Sequence, residues 1–372
     1  MDAEPRIWLT RPQTDEAEIA EIREVLASGT LTQGPKVAQL EAMVAELVGV
    51  PHAVATTSAT TALHLSLVAL GIGPGDEVLV PDFTFPATAN VVVQQGATPV
   101  LVDIGLDDFA IDPDDLERRI TPRAKAVMPV HPFGLPADMG RVEAIAARHG
   151  LTVVEDAACA LGATLDGRQV GGFGAAGCFS FHPRKSITTG EGGMITTADD
   201  ALAERIRLLR SHGGVREGGR FRFEAAGFNY RLSDILAAVG VAQMRKLDAF
   251  LAARRRVASW YDAALAGVEG VRRPVTPGGR THTYQSYVVL LEERIDRDAV
   301  IAQLRAEGIE TTIGTYALHD QPFFMRTCDL RTGDRPSSHR AFTGSLALPL
   351  HGGMRDDEVA AVADALTRAI RA

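Results

Sequence analysis

The sequence predicts an α/β protein with a mostly parallel sheet of about seven strands in its larger N-terminal part and a smaller C-terminal α/β domain. Three observations point there. Short apolar runs alternate with stretches of helical spacing between His52 and Thr197, the pattern of βαβ units. One run, Leu151 to Glu155, is apolar throughout except for Thr152 and its terminal glutamate, as a strand covered on both faces requires. Beyond a long amphipathic helix around Leu247 to Leu265, strand and helix patterns alternate again on a smaller scale. At 372 residues the chain has room for two domains with a substantial core.

Taken in order, Glu16 to Ala27 carries Ile19, Ile22, Val25 and Leu26 at helical spacing and stops at Gly29. A polar turn from Thr30 to Pro35 leads into a second amphipathic helix, Val37 to Val48. His52 to Thr56 reads as the first strand, and Thr56 to Gly71 turns directly into a helix whose start is crowded with hydroxyls. Free N–H groups and the helix dipole favour an anion there, while Ser58 reads equally well as the helix cap. Glu77 to Pro81 is the next strand. Phe85, just past its end, is either core packing or an aromatic face able to stack on a ring. Further strands are expected at Thr98 to Val102, Ala126 to Val130, Leu151 to Glu155, Gly177 to Phe181 and Met194 to Thr197. His131, at the end of the fourth run, reads as packing, with a place facing the site as the alternative.

GFGAAG, Gly172 to Gly177, matches the G-x-G-x-x-G pattern but precedes a strand instead of following one and opening a helix, so it reads as a tight turn and not as a dinucleotide fingerprint. The helix Ala201 to Leu209, with Arg205, Arg207 and Arg210, is expected to present a solvated face, and the Gly- and Arg-rich stretch His212 to Phe223 a mobile loop. Ser233 to Leu247 is a helix. Ser286 to Leu291 and Glu310 to Ile313 read as strands, Arg297 to Gly308 and Arg355 to Ile370 as helices.

The stretch Phe179 to Thr197, FSFHPRKSITTGEGGMITT, holds the most informative residue. Pro183 cannot continue a sheet ladder, so Lys185 falls just off the end of a strand. Gly190, Gly192 and Gly193 clear side chains from around Glu191 and allow close approach of backbone to a ligand. A lysine in such a partly dry pocket is expected to have a depressed pKa and a usable amine. The preceding strand delivers Glu155 and Asp156 at its carboxyl end, where open α/β sheets bind ligands. A carboxylate and a lysine at neighbouring strand ends are what pyridoxal phosphate (PLP) chemistry requires. A solvated loop lysine and a helix-capping Asp156 are the alternatives at this point.

EDAACALGA (Glu155 to Ala163), SFHPRKSITTGEGGM (Ser180 to Met194) and GFNYRLSDILAAVG (Gly227 to Gly240) resemble the motifs of the DegT/StrS family of PLP-dependent sugar aminotransferases. The likeness runs from Gly29 to His351. It implies the aspartate aminotransferase fold (fold type I), with a three-layer large domain. Residues 1–35 would then be an N-terminal segment at the dimer and active site, 36–250 the PLP-binding domain and 251–372 the small domain. It further implies that Lys185 carries PLP as a Schiff base and acts as the base, and that Asp156 pairs with the ring nitrogen. Phe85 would stack on the ring, Ala59, Thr60 and Ser180 would bind the phosphate, and Asn229 would reach the phosphate of the other subunit of a homodimer. Most relatives have Gly at position 59 and many have Gln or His at 159; Cys159, a weak donor near the ring hydroxyl, alters the tuning of the site and not the reaction class. Lys185 sets the chain apart from the dehydratase branch, which has His there.

The resemblance also implies an amino donor, L-glutamate, a nucleotide-linked keto sugar as acceptor, and a pyridoxamine phosphate (PMP) form during turnover. The GEGG form of the glycine loop, with His182, is more similar to members that aminate C4 of a 4-keto-6-deoxyhexose. The alternatives are a C3 keto-sugar or cyclitol aminotransferase and a non-catalytic PLP-binding or regulatory homologue. His182, Glu191, Arg231, His282, Tyr284, His319 and His351 are candidate substrate contacts. The formal charge of −9 argues against general nucleic-acid binding. No metal-ligand spacing is evident, and three scattered cysteines, Cys159, Cys178 and Cys328, fit a reducing compartment, with Cys178 as a small core residue. With no secretory signal and no run long enough to span a bilayer, the expectation is a cytoplasmic protein with no membrane partner.

Overall fold

The computed structural model describes residues 5–328 and 335–371. The apolar runs form one sheet from β1 (His52–Thr56), β2 (Glu77–Pro81), β3 (Thr98–Val102), β4 (Ala124–Val127), β5 (Thr152–Asp156), β6 (Ala176–Ser180) and β7 (Gly193–Thr197). Their spatial order is β1-β7-β6-β5-β4-β2-β3. β7 runs antiparallel to both of its neighbours, and every other pairing is parallel.

Alternation along the strands divides the core between the two faces of this sheet. Val78, Val80, Leu101 and Val154 pack in one apolar cluster with Leu63 and Leu67 of the helix α3 (Ala59–Ala69). Leu79, Val102, Val127 and Val153 pack in another with the helix Met139–His149. Near β1 and β7 the second face is covered by α2 (Pro35–Val48) and the helix Asp234–Arg245. Helices on both faces are why the strand runs are apolar throughout.

The helix Leu247–Ala264 leads to a second, antiparallel sheet made of Val271–Arg272, Tyr287–Leu291, Ser345–Leu348 and Thr312–Ile313 in that spatial order. Its core holds Tyr261, Tyr287, Leu304 and Leu366, and Ile7 joins it through a bridge to Ile309. Two short antiparallel pairings tie this unit to the first sheet: Tyr316–Ala317 with Phe83–Thr84, and Arg280–Thr281 with Thr164–Leu165. No helix among the described residues is long and apolar enough to cross a membrane.

Three expectations are corrected. Helix α1 (Glu16–Ser28) forms where expected, but it buries Glu18, Glu21 and Val25 and leaves Ile19 and Leu26 exposed. Glu21 is held by Lys36 and Arg245, and Glu18 by Gln243 and Lys246, so partners distant in sequence turn the polar face inward. Arg210 is not on a solvated face: it is buried, donating to Glu41 (2.7 Å), the Ala55 carbonyl (2.8 Å) and Gln33 (2.9 Å). The stretch His212 to Phe223 contains an exposed two-stranded hairpin, Gly214–Glu217 with Arg220–Phe223, instead of an irregular loop. The helix Pro336–Gly344 was not foreseen.

Candidate active site

A cavity of about 790 Å³ opens beyond the carboxyl ends of β5 and β6, within the range of small-molecule sites. β5 and β6 are neighbours, with Asp156 opposite Cys178, so the carboxylate and the turn after Ser180 meet there. Successive side chains of a strand point to opposite faces, which separates the two acids at the end of β5. Asp156 faces the cavity. Its Oδ2 accepts from Thr88 Oγ1 (2.8 Å) and its Oδ1 from the Ala158 N–H (3.2 Å). Burial pushes its pKa up, against the pull of those donors and of the Lys185 charge.

Glu155 turns the other way and is wholly buried. Its carboxylate accepts from the backbone N–H groups of Gly171 (2.7 Å), Phe173 (2.7 Å) and Gly174 (2.9 Å). His131 Nε2 lies 3.1 Å away. Because His131 Nδ1 accepts from the Ala137 N–H, Nε2 carries the proton and donates to Glu155. The dinucleotide-like glycine turn is thus a cradle for a structural carboxylate, and His131 is packing.

Lys185 is carried by a turn in which its own N–H donates to the His182 carbonyl (2.8 Å) and Arg254 donates to its carbonyl (3.3 Å). Its Nζ reaches the cavity and donates to Cys159 Sγ at 3.0 Å. Ser180, nearly buried, and the start of α3 form another wall. Ser58 caps α3 by accepting from the Thr61 N–H (3.1 Å), which leaves Ala59 and Thr60 facing the cavity with first-turn N–H groups that have no acceptor within the helix. Gly193 lets β7 press against this helix start. A Cβ there would lie 2.3 Å from the Ser58 carbonyl carbon and oxygen.

Phe85 lines the mouth, 64% exposed, with its ring edge-on to Tyr316 at 6.4 Å. His182 and Glu191 line the same cavity, 4.0 Å apart. Six further candidates do not line it. Asn229 is exposed and bridged through its backbone to Ser211, and Arg231 is half-buried near it. His282 is buried and stacked on Tyr284 at 3.9 Å, and burial pushes its pKa down to about 3. His319 is buried against Asp82, and His351 lines a separate depression with Arg11 and Thr14. Sequence reasoning passed over Thr88, Arg184, Gln285 and Thr315. Thr88 lies one helical turn beyond Phe85, a spacing that could have drawn attention to it.

The donor set fits PLP. A buried carboxylate whose donors among the described residues are a hydroxyl and an amide suits a cationic ring nitrogen, an amine projects into the same space, and a helix start offers N–H groups to a phosphate. Comparison with known proteins agrees. Residues 12–367 match the DegT/DnrJ/EryC1/StrS aminotransferase family. The chain is 42% identical to a GDP-perosamine synthase of Caulobacter vibrioides over 98% of its length and 99% of that protein. It is 40% identical to a UDP-N-acetyl-3-dehydro-alpha-D-glucosamine 3-aminotransferase of Acidithiobacillus ferrooxidans, covering 94% and 92% of the two chains. Structures of Spr1654 from Streptococcus pneumoniae, solved in PMP and PLP forms, superpose with a TM-score of 0.94 at 28% identity, covering 98% of each chain. The chain belongs to the DegT/DnrJ/EryC1/StrS aminotransferase family.

Proposed function

We propose that the cavity holds PLP and that the protein moves an amino group from L-glutamate to a nucleotide-linked keto sugar, at C4 of a 4-keto-6-deoxyhexose. The observation that carries this reading is the convergence of Lys185 and Asp156 on one cavity from neighbouring strand ends. PLP, when bound, supplies an aldehyde that condenses with amines and a ring that withdraws electrons from the substrate carbon. Lys185 would hold PLP through its aldehyde, and its amine, when free, would be the base that takes the donor's Cα proton. Asp156 stays ionised against the ring nitrogen and keeps it protonated. The Ser180 and Thr60 hydroxyls and the N–H groups of Ala59 and Thr60 bind the phosphate, and Phe85 covers the ring. Cys159 orients the lysine amine as the weak donor and acceptor that a thiol is.

The protein acts as a homodimer in which the partner subunit's Asn229 completes the phosphate site. Exposed Ile19 and Leu26 on α1, with Leu31 beyond it, give a second copy an apolar surface to cover. The C4 assignment rests on the GEGG loop and His182, both at the cavity. A C3 acceptor is the second reading, favoured by the 40% identity to a 3-aminotransferase. The test is to convert the purified enzyme to its PMP form with glutamate and add 4-keto-6-deoxy or 3-keto nucleotide sugars separately. Return of the yellow colour with the 4-keto sugar, and an amine at C4 by NMR, is expected. Return with the 3-keto sugar alone would move the assignment to C3. Failure of glutamate to bleach the colour would favour a binding protein without turnover.

A further inference from the structure

Outside the cavity lining, the pairing of Tyr316–Ala317 with Phe83–Thr84 sets the turn Leu318–Asp320 against Asp82. Asp82 grips that turn three times. Its carbonyl accepts from the Leu318 N–H (2.8 Å), its Oδ1 from the His319 N–H (2.8 Å), and its Oδ2 from His319 Nδ1. The imidazole is thereby fixed in orientation and tautomer, with Nε2 directed away from Asp82. That Nε2 is buried and has no hydrogen-bond partner among the described residues; Asp320 Oδ1 lies 3.4 Å from it. On the other side of Asp320, His339 of the helix Pro336–Gly344 brings Nδ1 to 2.8 Å from Oδ2. One ligand atom from each of the three residues lies within 4.8 Å of the others.

We propose that His319, Asp320 and His339 form a binding site for a divalent transition-metal ion, Zn²⁺ foremost, separate from the transamination centre. Two imidazole nitrogens and one carboxylate oxygen suit zinc and its neighbours, whereas magnesium and calcium prefer all-oxygen sets. The Asp82–His319 pair is the carboxylate–histidine arrangement that orients zinc-bound imidazoles. Zinc ligands stand about 2.0–2.2 Å from the ion, so the three groups must close inward. His339, about half exposed, can do so by rotating its ring, while His319 stays put. The ion clips the turn to the helix Pro336–Gly344. Because Asp82 precedes Phe83, Thr84 and Phe85, it also stiffens the wall that carries Phe85. The competing occupant is a proton shared between His319 and its two flanking aspartates.

The test uses untagged, PLP-loaded enzyme stripped of metal by dialysis and titrated with Co²⁺ and then Zn²⁺. Uptake of one Co²⁺ per chain is expected, with visible ligand-field bands that Zn²⁺ abolishes, and a rise in unfolding temperature with added Zn²⁺. His339→Ala and Asp320→Asn should each weaken Co²⁺ binding at least tenfold, while His52→Ala, at a remote exposed pair, leaves it unchanged. His339→Ala alters only a half-exposed side chain, so its fold is expected to survive, checked by circular dichroism. Absence of Co²⁺ uptake by the parent enzyme, or uptake that persists unchanged in both folded variants, overturns the proposal and leaves the shared proton as the occupant.

Discussion

The two acids at the end of β5 differ by one residue and by everything else that matters. Asp156 is buried with its pKa raised, so in the cofactor-free chain it burdens the fold at neutral pH. The sign follows from linkage. A carboxyl whose folded pKa exceeds its unfolded value carries no penalty below the unfolded value, and the penalty grows as pH rises to the folded one. Asp156→Asn keeps an acceptor for the Ala158 N–H, turns its N–H₂ to the Thr88 hydroxyl, which can accept, and removes the buried charge. The cofactor-free variant is therefore expected to melt at or above the wild-type temperature at pH 7, while turnover falls about 10²-fold or more because no charge holds the ring nitrogen. Melting curves with and without PLP, set beside glutamate half-reaction rates, check both halves. A cofactor-free variant that melted well below wild type would refute this account of Asp156. His282 offers the opposite sign. Its folded pKa near 3 lies below its ordinary value of 6.5, so stability is complete above pH 6.5 and is lost as pH falls towards 3. The slope is up to about 1.4 kcal/mol per pH unit for one proton. His282→Asn, which keeps an acceptor for the Tyr284 N–H, should flatten the profile of unfolding midpoint against pH over that window. An unchanged slope would assign the acid sensitivity elsewhere.

At the scale of elements, Glu155 anchors the loop between β5 and β6. Glu155→Gln turns one acceptor into an N–H₂ group facing N–H donors and is expected to destabilise by about 1–3 kcal/mol, while PLP binding survives in the folded fraction. Chemical denaturation together with cofactor titration separates this from a catalytic role; loss of PLP affinity at full stability would contradict it. The strands were legible because a sheet covered on both faces writes itself as apolar runs, and Lys185 and Asp156 because a proline break and a strand end locate side chains without tertiary information. Which face α1 buries was not legible. Ile19, Ile22 and Leu26 lie close together on the helix, but Glu18 and Glu21 find Gln243, Lys246, Lys36 and Arg245, all brought near only by folding. Arg210 misled for the same reason, since Glu41 and Ala55 lie far from it in sequence. The hairpin Gly214–Glu217 with Arg220–Phe223 was passed over although Arg220 to Phe223 alternates polar and apolar residues, because its strands are exposed and stand among glycines and arginines that read as loop.

For the whole molecule, the question is whether one chain makes a complete site. Asn229 sits in a motif whose resemblance implies a cofactor contact, yet it is exposed and lies outside the cavity lining of its own chain. Ile19 and Leu26 stand on an uncovered face of α1. Both facts are accounted for if a second copy covers that face and lends its Asn229 across a two-fold axis, where each contact occurs twice. Complementation tests this directly. Lys185→Ala is expected to be inactive, and Asn229→Ala to retain less than about a tenth of wild-type activity for loss of a phosphate contact. In a mixed dimer of the two, one site combines both changes and the other has neither. Random co-assembly should therefore restore about a quarter of wild-type activity, since half the dimers are mixed and each has one intact site of two. If Asn229 instead served its own chain, every site in the mixed dimer would keep one defect. Activity would then not exceed the average of the parents, and the shared-site arrangement would be wrong even if light scattering showed a dimer.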